Sequence, residues 1–343
     1  MKKELRRNTG VDLAKAIAIC GVVIIHNCSH GYASKTLSFD WITTVLLRSL
    51  VSPSVPLFFM CSGALLLNPE KEISIKSLYT KRLLRIVLAL LFWAFSYKLF
   101  DLLITKSLSA ETLVQSIKEL FLFRHKFHLY FLHIILIVYI WLPITRSFTK
   151  HASQKEVLYF LCVWFLFGIV YPTVRGFWPF NLLSGIPLQW LINMTYAAIG
   201  YAVLGFYLSQ HPISWKLSVL FLFAGCVCVF GGTTVASFYA DTLVTKYFEG
   251  MSIGVSIIAV GAFGLCSLEF PLAGTRFVRN LSRASFCVYL VHVFFISILQ
   301  GLGVMAVSPF LLTILLVSFL NVMLSYGVYV VLNRIPIIRD WII

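Results

Sequence analysis

The sequence predicts an all-α protein, a polytopic membrane helix bundle of about ten transmembrane helices with both termini cytoplasmic. Three observations lead there. First, the 343 residues are 59% hydrophobic and only 12% charged, with a mean hydropathy of +0.90. A soluble domain is nearer a quarter charged, so lipid must be the solvent for most of this chain. Second, apolar runs recur at roughly the 20-residue length that crosses a hydrocarbon core. Third, Lys and Arg cluster at the ends of those runs with a strong bias to one side.

The runs fall at 12–30, 42–67, 86–105, 128–146, 157–172, 188–208, 215–237, 251–270, 285–304 and 309–332. Helices are required, because strands with open edges leave backbone groups unpaired in lipid. The second run contains Pro53 and Pro56 and is expected to be kinked or broken there. The fifth is short and is expected to be tilted or partly re-entrant. The opening basic cluster (Lys2, Lys3, Arg6 and Arg7) leads into an apolar stretch interrupted by Asp12 and Lys15, unlike a cleavable signal. The whole of 1–343 reads as one membrane domain without internal repeats.

With the N-terminus inside, the inner segments hold that cluster together with Lys71, Lys76, Lys81, Arg82, Arg85, Arg146, Lys150, Lys155, Lys216, Arg276, Arg279, Arg283, Arg334 and Arg339. The outer segments hold fewer: Lys35, Lys106, Lys118, Arg124, Lys126, Arg175 and Lys246. The net charge of +15 therefore reflects membrane orientation, and nucleic acid is not an expected partner. The eight cysteines lie mostly in apolar runs, show no metal-ligand spacing, and read as small hydrophobes.

An ionisable side chain in a span costs a few kcal/mol and calls for a partner or a function. Lys15 and His26 stand eleven steps apart on the first run, about 20° past three full turns and roughly 16.5 Å apart along the axis. They share a face without touching, Lys15 toward the inside and His26 toward the far side. The plainer alternatives are a snorkelling lysine and an interfacial histidine. Arg82 and Arg85 share a helix face at the start of the third run, an arrangement suited to phosphates, although spacing alone favours positive-inside anchoring on lipid headgroups. His128 opens the fourth run from outside, and His292 is placed on the inner half of the ninth. His133 reads as structural. Lys98 and Asp101 are expected to pair with each other. Spacing assigns no role to Arg48. Among carboxylates only Asp12 and Asp101 lie well inside a run, which argues against a proton-coupled pump.

Four stretches, in order, resemble the integral-membrane acyltransferase-3 family. Asp12-Leu13-Ala14-Lys15 followed by His26 is similar to its Asp-x-x-(Arg/Lys)-x10-His signature, with Lys where Arg is more usual. Ser54-Val55-Pro56-Leu57-Phe58-Phe59-Met60-Cys61-Ser62-Gly63 is the most specific match, and Lys81-Arg82-Leu83-Leu84-Arg85-Ile86 follows it like the family's Arg-x-x-Arg-Ile motif. His128-Leu129-Tyr130-Phe131-Leu132 with Tyr139 and Pro143 resembles a third segment, and Ser285-Phe286-Cys287-Val288-Tyr289-Leu290-Val291-His292 a fourth; Tyr201 and Gly205 are a weaker echo.

The resemblance implies a multi-pass protein of the bacterial inner membrane that uses cytosolic acetyl-CoA as acyl donor and has no permanently bound cofactor. It implies His26 and Lys15 as catalytic residues, Arg82, Arg85 and Lys15 as the donor-binding cations, and Asp12, Ser62, His128, Tyr130 and His292 as substrate-binding or supporting residues. The donor's phosphates would rest on the arginines, its pantetheine arm would follow the first helix, and His26 would act as general base on the acceptor hydroxyl; an acyl-histidine intermediate is also compatible. Members without an extra periplasmic domain resemble O-acetyltransferases of O-antigen or related surface glycans, so a surface or lipid-linked glycan is the expected acceptor. Enterobacterial common antigen, exopolysaccharide and peptidoglycan are the alternatives. A transporter is the competing class.

Overall fold

The computed structural model describes residues 8–268, 271–304 and 307–343; the predicted orienting cluster Lys2, Lys3, Arg6 and Arg7 lies outside them. Every described regular element is helical. Eight helices are long and apolar enough to cross a membrane, nine if one bent pair counts as a single span.

The first helix, α1 (Thr9–Asn27), starts where the Asn8 side chain accepts the Val11 N–H at 3.0 Å. The same chemistry opens most of the others. Ser38 caps α2 (Phe39–Val51), and Ser109 and Ser153 form capping boxes on Ala110–Phe121 and Gln154–Trp164. Ser214, Ser252 and Thr275 cap Trp215–Ala240, Ile253–Cys266 and Arg276–Gly301. The expected break in the second run is present, since α2 ends at Val51 and α3 (Ser54–Leu66) begins beyond Pro53. Pro56 sits in the first turn of α3, where a missing N–H costs little.

The third span extends further toward the N-terminus than its apolar run. A π-helical turn at Leu78–Leu83 carries Lys81 and Arg82 into α4 (Leu84–Ile104). The 106–127 connection contains an amphipathic helix, α5 (Ala110–Phe121). It alters the charge pairing read from sequence: Lys98 pairs with Glu119 at 2.5 Å and Asp101 with Lys126 at 2.9 Å, not with each other. Each finds a partner from the 106–127 connection instead: α5 brings Glu119 alongside Lys98, and Lys126 reaches Asp101.

The fourth run is bent by 50° between α6 (Tyr130–Ile140) and α7 (Leu142–His151), where Pro143 opens the new helix. Arg146 on α7 donates to the main-chain oxygens of Leu66, Asn68 and Lys71, tying this bend to the end of α3. The fifth run is neither short nor re-entrant. Helix α8 (Gln154–Trp164) continues through a π-helical stretch, Phe165–Val170, to Val174, making a 21-residue span; capping at Ser153 adds polar residues that hydropathy alone leaves out. The sixth run is shorter than predicted. Pro179 and Pro187 lie in 3-10 and irregular chain, and α9 (Met194–Gln210) is 17 residues long, at the short end for a span.

The remaining helices are α10 (Trp215–Ala240), α11 (Ile253–Cys266), α12 (Arg276–Gly301), α13 (Phe310–Leu332) and the short α14 (Pro336–Trp341). The end of the predicted eighth run, Glu269 and Phe270, lies outside the described residues. Helix α1 is central, packed on α2, α3, α11, α12 and α13, while α3 lies against α9 and α10 against α11. Glycines permit the closest approach: a Cβ at Gly63 would overlap the main chain of Ala202, and one at Gly205 that of Met60. This is small-residue packing of the kind that holds helices together where lipid gives no hydrophobic drive. Outward faces of α10 and α13 expose Phe223, Val227, Leu312 and Phe319, as lipid-facing surfaces do.

Candidate active site

Because α1 is one unbroken helix, the shared face of Lys15 and His26 is preserved, and neither residue faces open lipid. Each lines a chamber inside the bundle.

The chamber at the Lys15 end has a volume of about 660 Å³ and is basic. Lys15 from α1, Lys81 and Arg82 from the π-helical turn, and Arg85 from α4 converge on it, with Ser62 of α3 and Tyr139 of α6 on the walls. The two arginines therefore do face one space, but they are not equivalent. Arg85 donates to the main-chain oxygen of Ile343 and lies 5.9 Å from the Phe286 ring centre. Trp93 Nε1 donates to the Ile342 oxygen at 3.1 Å, fixing the segment after α14 beside it. Arg82 makes no ion pair or hydrogen bond among the described residues, so of the two guanidiniums on this chamber it is the uncommitted one. Asp340 is at the rim.

The chamber at the His26 end has a volume of about 370 Å³. His26, Tyr32, Arg48, Tyr130 and Glu249 line it. Behind His26 stands a histidine cluster that sequence reading did not assemble. The His26 and His292 rings stack with centres 5.2 Å apart, and the His292 and His128 rings meet edge-to-face at 5.3 Å. His292 was placed on the inner half of its span because the apolar run starts at 285. The helix in fact begins at Arg276, which puts His292 about 24 Å along it, level with His26. Helices α1 and α12 run parallel: Ser282 donates to the buried Asp12 at 2.6 Å near their starts, and the two imidazoles meet near the other end. Asp12 thus supports the α1–α12 register, far from His26, and lines neither chamber.

The cluster is held from behind. His292 Nδ1 is 2.6 Å from the Tyr289 oxygen, a contact that requires the proton on Nδ1; its Nε2 is buried without a hydrogen-bond partner among the described residues. Asn321 donates to the His292 carbonyl at 3.0 Å, and Tyr289 Oη donates to the His128 carbonyl. No group of three or more His, Cys, Asp or Glu side chains among the described residues has metal-binding geometry.

Between the chambers lies an aromatic partition. The Phe131 ring packs tilted against Phe59 at 5.2 Å and Phe58 at 5.9 Å, and edge-to-face against Tyr289 at 5.2 Å. Phe59 lines the smaller chamber, while Phe58, Phe131 and Tyr289 line the larger. The expected continuous path along α1 is therefore interrupted by ring side chains, whose rotation would be needed to join the two ends.

The arrangement sets a polycationic chamber at one end of α1 and a chamber with an imidazole at the other, with the Phe58, Phe59, Phe131 and Tyr289 rings in contact across them. Residues 8–330 match the family described as "Acyltransferase domain", type 3. The chain belongs to this acyltransferase family. The match runs from the cap of α1 almost to the end of α13 and takes in all of the smaller chamber's lining and all of the larger one's except Asp340; α14 and the Ile342–Ile343 segment follow it. No curated protein and no solved structure matches the chain. The protein is accordingly a membrane acyltransferase.

Of the residues singled out from sequence, Lys15, Ser62, Arg82 and Arg85 share the basic chamber, His26 and Tyr130 share the other, and His128 and His292 back His26. Sequence reading missed the roles of Arg48, Tyr32 and Phe131 in lining these spaces. Arg48 carried a signal, a cation in an apolar span, but the carbonyl it contacts, that of Phe248, is 200 residues away.

Proposed function

We propose that this acyltransferase is an O-acetyltransferase of the bacterial inner membrane, moving an acetyl group from cytosolic acetyl-CoA to a hydroxyl of a cell-surface glycan, with O-antigen polysaccharide as the favoured acceptor. The observation that carries the proposal is that one helix presents a cation to a polycationic chamber and an imidazole to a second chamber, a rise of roughly 16.5 Å away. The basic chamber faces the cytosol in this reading, where acetyl-CoA is found, and both termini lie on that side.

The donor's phosphates rest on Arg82 with Lys15 and Lys81 beside it, as guanidinium–phosphate contacts favour. The pantetheine arm passes Phe131 and Tyr289, and the thioester reaches His26. The acceptor glycan, free or lipid-linked, occupies the smaller chamber with Tyr130 at its wall. His26 takes the proton of the acceptor hydroxyl as its oxygen bonds to the thioester carbonyl carbon. The tetrahedral intermediate collapses with cleavage of the C–S bond. The departing thiolate recovers the proton from the imidazolium, leaving an acetyl ester and free coenzyme A. His292 stacks behind His26 and fixes its ring plane, and no permanently bound cofactor takes part.

Arg82→Ala is expected to raise the KM for acetyl-CoA about tenfold to hundredfold with little change in kcat, the loss of one charged hydrogen-bonding group used equally in ground and transition states. Steady-state kinetics in nanodiscs measures this; an unchanged KM removes Arg82 from the donor site. The function itself is tested by the mass of surface-polysaccharide repeats from cells with and without the gene. One acetyl group per repeat should disappear with the gene, and an unchanged glycan contradicts the proposal.

A further inference from the structure

Arg48 is a guanidinium without a counter-ion among the described residues, in the membrane-embedded body of the protein. It sits on α2, inside the span Phe39–Leu66. Its Nη2 makes one long contact, 3.5 Å to the Phe248 carbonyl, and its guanidinium carbon lies 4.8 Å from the centre of the Phe248 ring. Nη1 is buried without a partner. The ion pairs among the described residues are made elsewhere, by Lys98, Lys126 and Arg339. The Tyr32 hydroxyl, also on this chamber wall, is buried beside Arg48 and interacts with it electrostatically, but it too has no partner within hydrogen-bonding distance. The one carboxylate on the wall, Glu249, is exposed at the mouth and forms no ion pair with Arg48.

An isolated cation here costs several kcal/mol, and a buried donor without an acceptor adds to that cost. Two such groups on one wall of a chamber that also holds His26 are what a site looks like when the missing acceptor belongs to a ligand. A chamber of about 370 Å³ is at the small end of ligand pockets, large enough for a sugar unit and its substituent but not for a length of polymer.

We propose that the smaller chamber recognises an anionic acceptor: Arg48 and Tyr32 bind a carboxylate or phosphate on the sugar unit whose hydroxyl faces His26. Arg48 is thereby a specificity-determining residue. Its planar fork suits either oxyanion bidentately. Naming this anion as part of the acceptor rests on the acetyltransfer reading; the anion site itself does not.

The test is thermal unfolding of the full chain in nanodiscs with glucuronate, N-acetylneuraminate, glucose 1-phosphate or glucose at equal concentration. Binding to the folded state alone raises the midpoint. At least one of the three acidic sugars should raise it by about 2 °C or more over glucose, and the carboxylate and phosphate probes separate the two sources of charge. Arg48→Gln should abolish the difference, Arg48→Lys should keep part of it, and both should still bind coenzyme A like the wild type, showing that they are folded. If none of the acidic sugars exceeds glucose, or Arg48→Gln keeps the difference, the anion site is overturned. If the shift appears but no glycan gains acetyl in the gene-dependent comparison, the anion site stands and the acetyltransfer reading falls.

Discussion

His26→Ala is expected to abolish acyl transfer, with a loss of about 10²–10⁴-fold in kcat, while the protein inserts normally and still binds coenzyme A. The separation follows from the geometry. His26 lines the smaller chamber and makes only ring contacts, to Phe127 at 5.1 Å and His292 at 5.2 Å, so truncation removes little packing. On the proposed reading the donor's anionic end rests in the other chamber, whose lining side chains this substitution does not touch. Single-turnover transfer from radiolabelled acetyl-CoA, with coenzyme A affinity measured in parallel, checks both halves. Wild-type transfer by the alanine variant removes His26 from the base role. Loss of coenzyme A binding as well would mean that the substitution acts through structure.

Gly63→Ala is expected to have the largest effect on stability. Helices α3 and α9 touch backbone to backbone, and a methyl group at Gly63 would overlap the main chain of Ala202, which cannot rotate away as a flexible side chain could. Overpacking of this kind costs about 1–3 kcal/mol and sometimes more. Because α3 carries Phe58, Phe59 and Ser62 on the chamber walls, displacing it also loosens the partition, and transfer should fall together with the unfolding midpoint. Gly327→Ala on α13 is the control. Nothing lies within 4 Å of its Cβ position, and alanine favours helix over glycine, so its midpoint should hold or rise. Equal midpoints for Gly63→Ala and wild type would show that the α3–α9 contact is not close-packed.

Much of this architecture was legible because a membrane span leaves a simple record. Apolar length gave most helices, and Pro53 gave the break between α2 and α3. The α1 face was predictable because helical periodicity fixes where Lys15 and His26 point when no residue between them breaks the helix. Errors arose where polar residues extend a helix beyond its apolar run. Arg276, Arg279 and Arg283 belong to α12, and starting that span at 285 placed His292 on the wrong half. The same effect concealed the full length of α8, whose capping box at Ser153 and Glu156 is polar. The Lys98 pairing was misread because α5, a helix too polar to register as a span, carries Glu119 to it. The second chamber was the least accessible part. Tyr32, Arg48 and Phe248 come from three separate segments, and periodicity along one helix holds no information about which others face it.

The central claim is that the two chambers are ends of one route along α1, closed here by Phe131 and Tyr289 against Phe58 and Phe59. A structure of the protein in nanodiscs with a non-transferable acetyl-CoA analogue bound tests it most directly. The account predicts phosphate density at Arg82, the pantetheine arm passing a rotated Phe131, and the acyl carbonyl within about 6 Å of the His26 ring, one hydrogen bond plus one near-attack separation, with room for the acceptor hydroxyl between them. An analogue bound at Arg82 with its acyl end still on the Lys15 side of a closed partition, or bound outside the bundle, would contradict it.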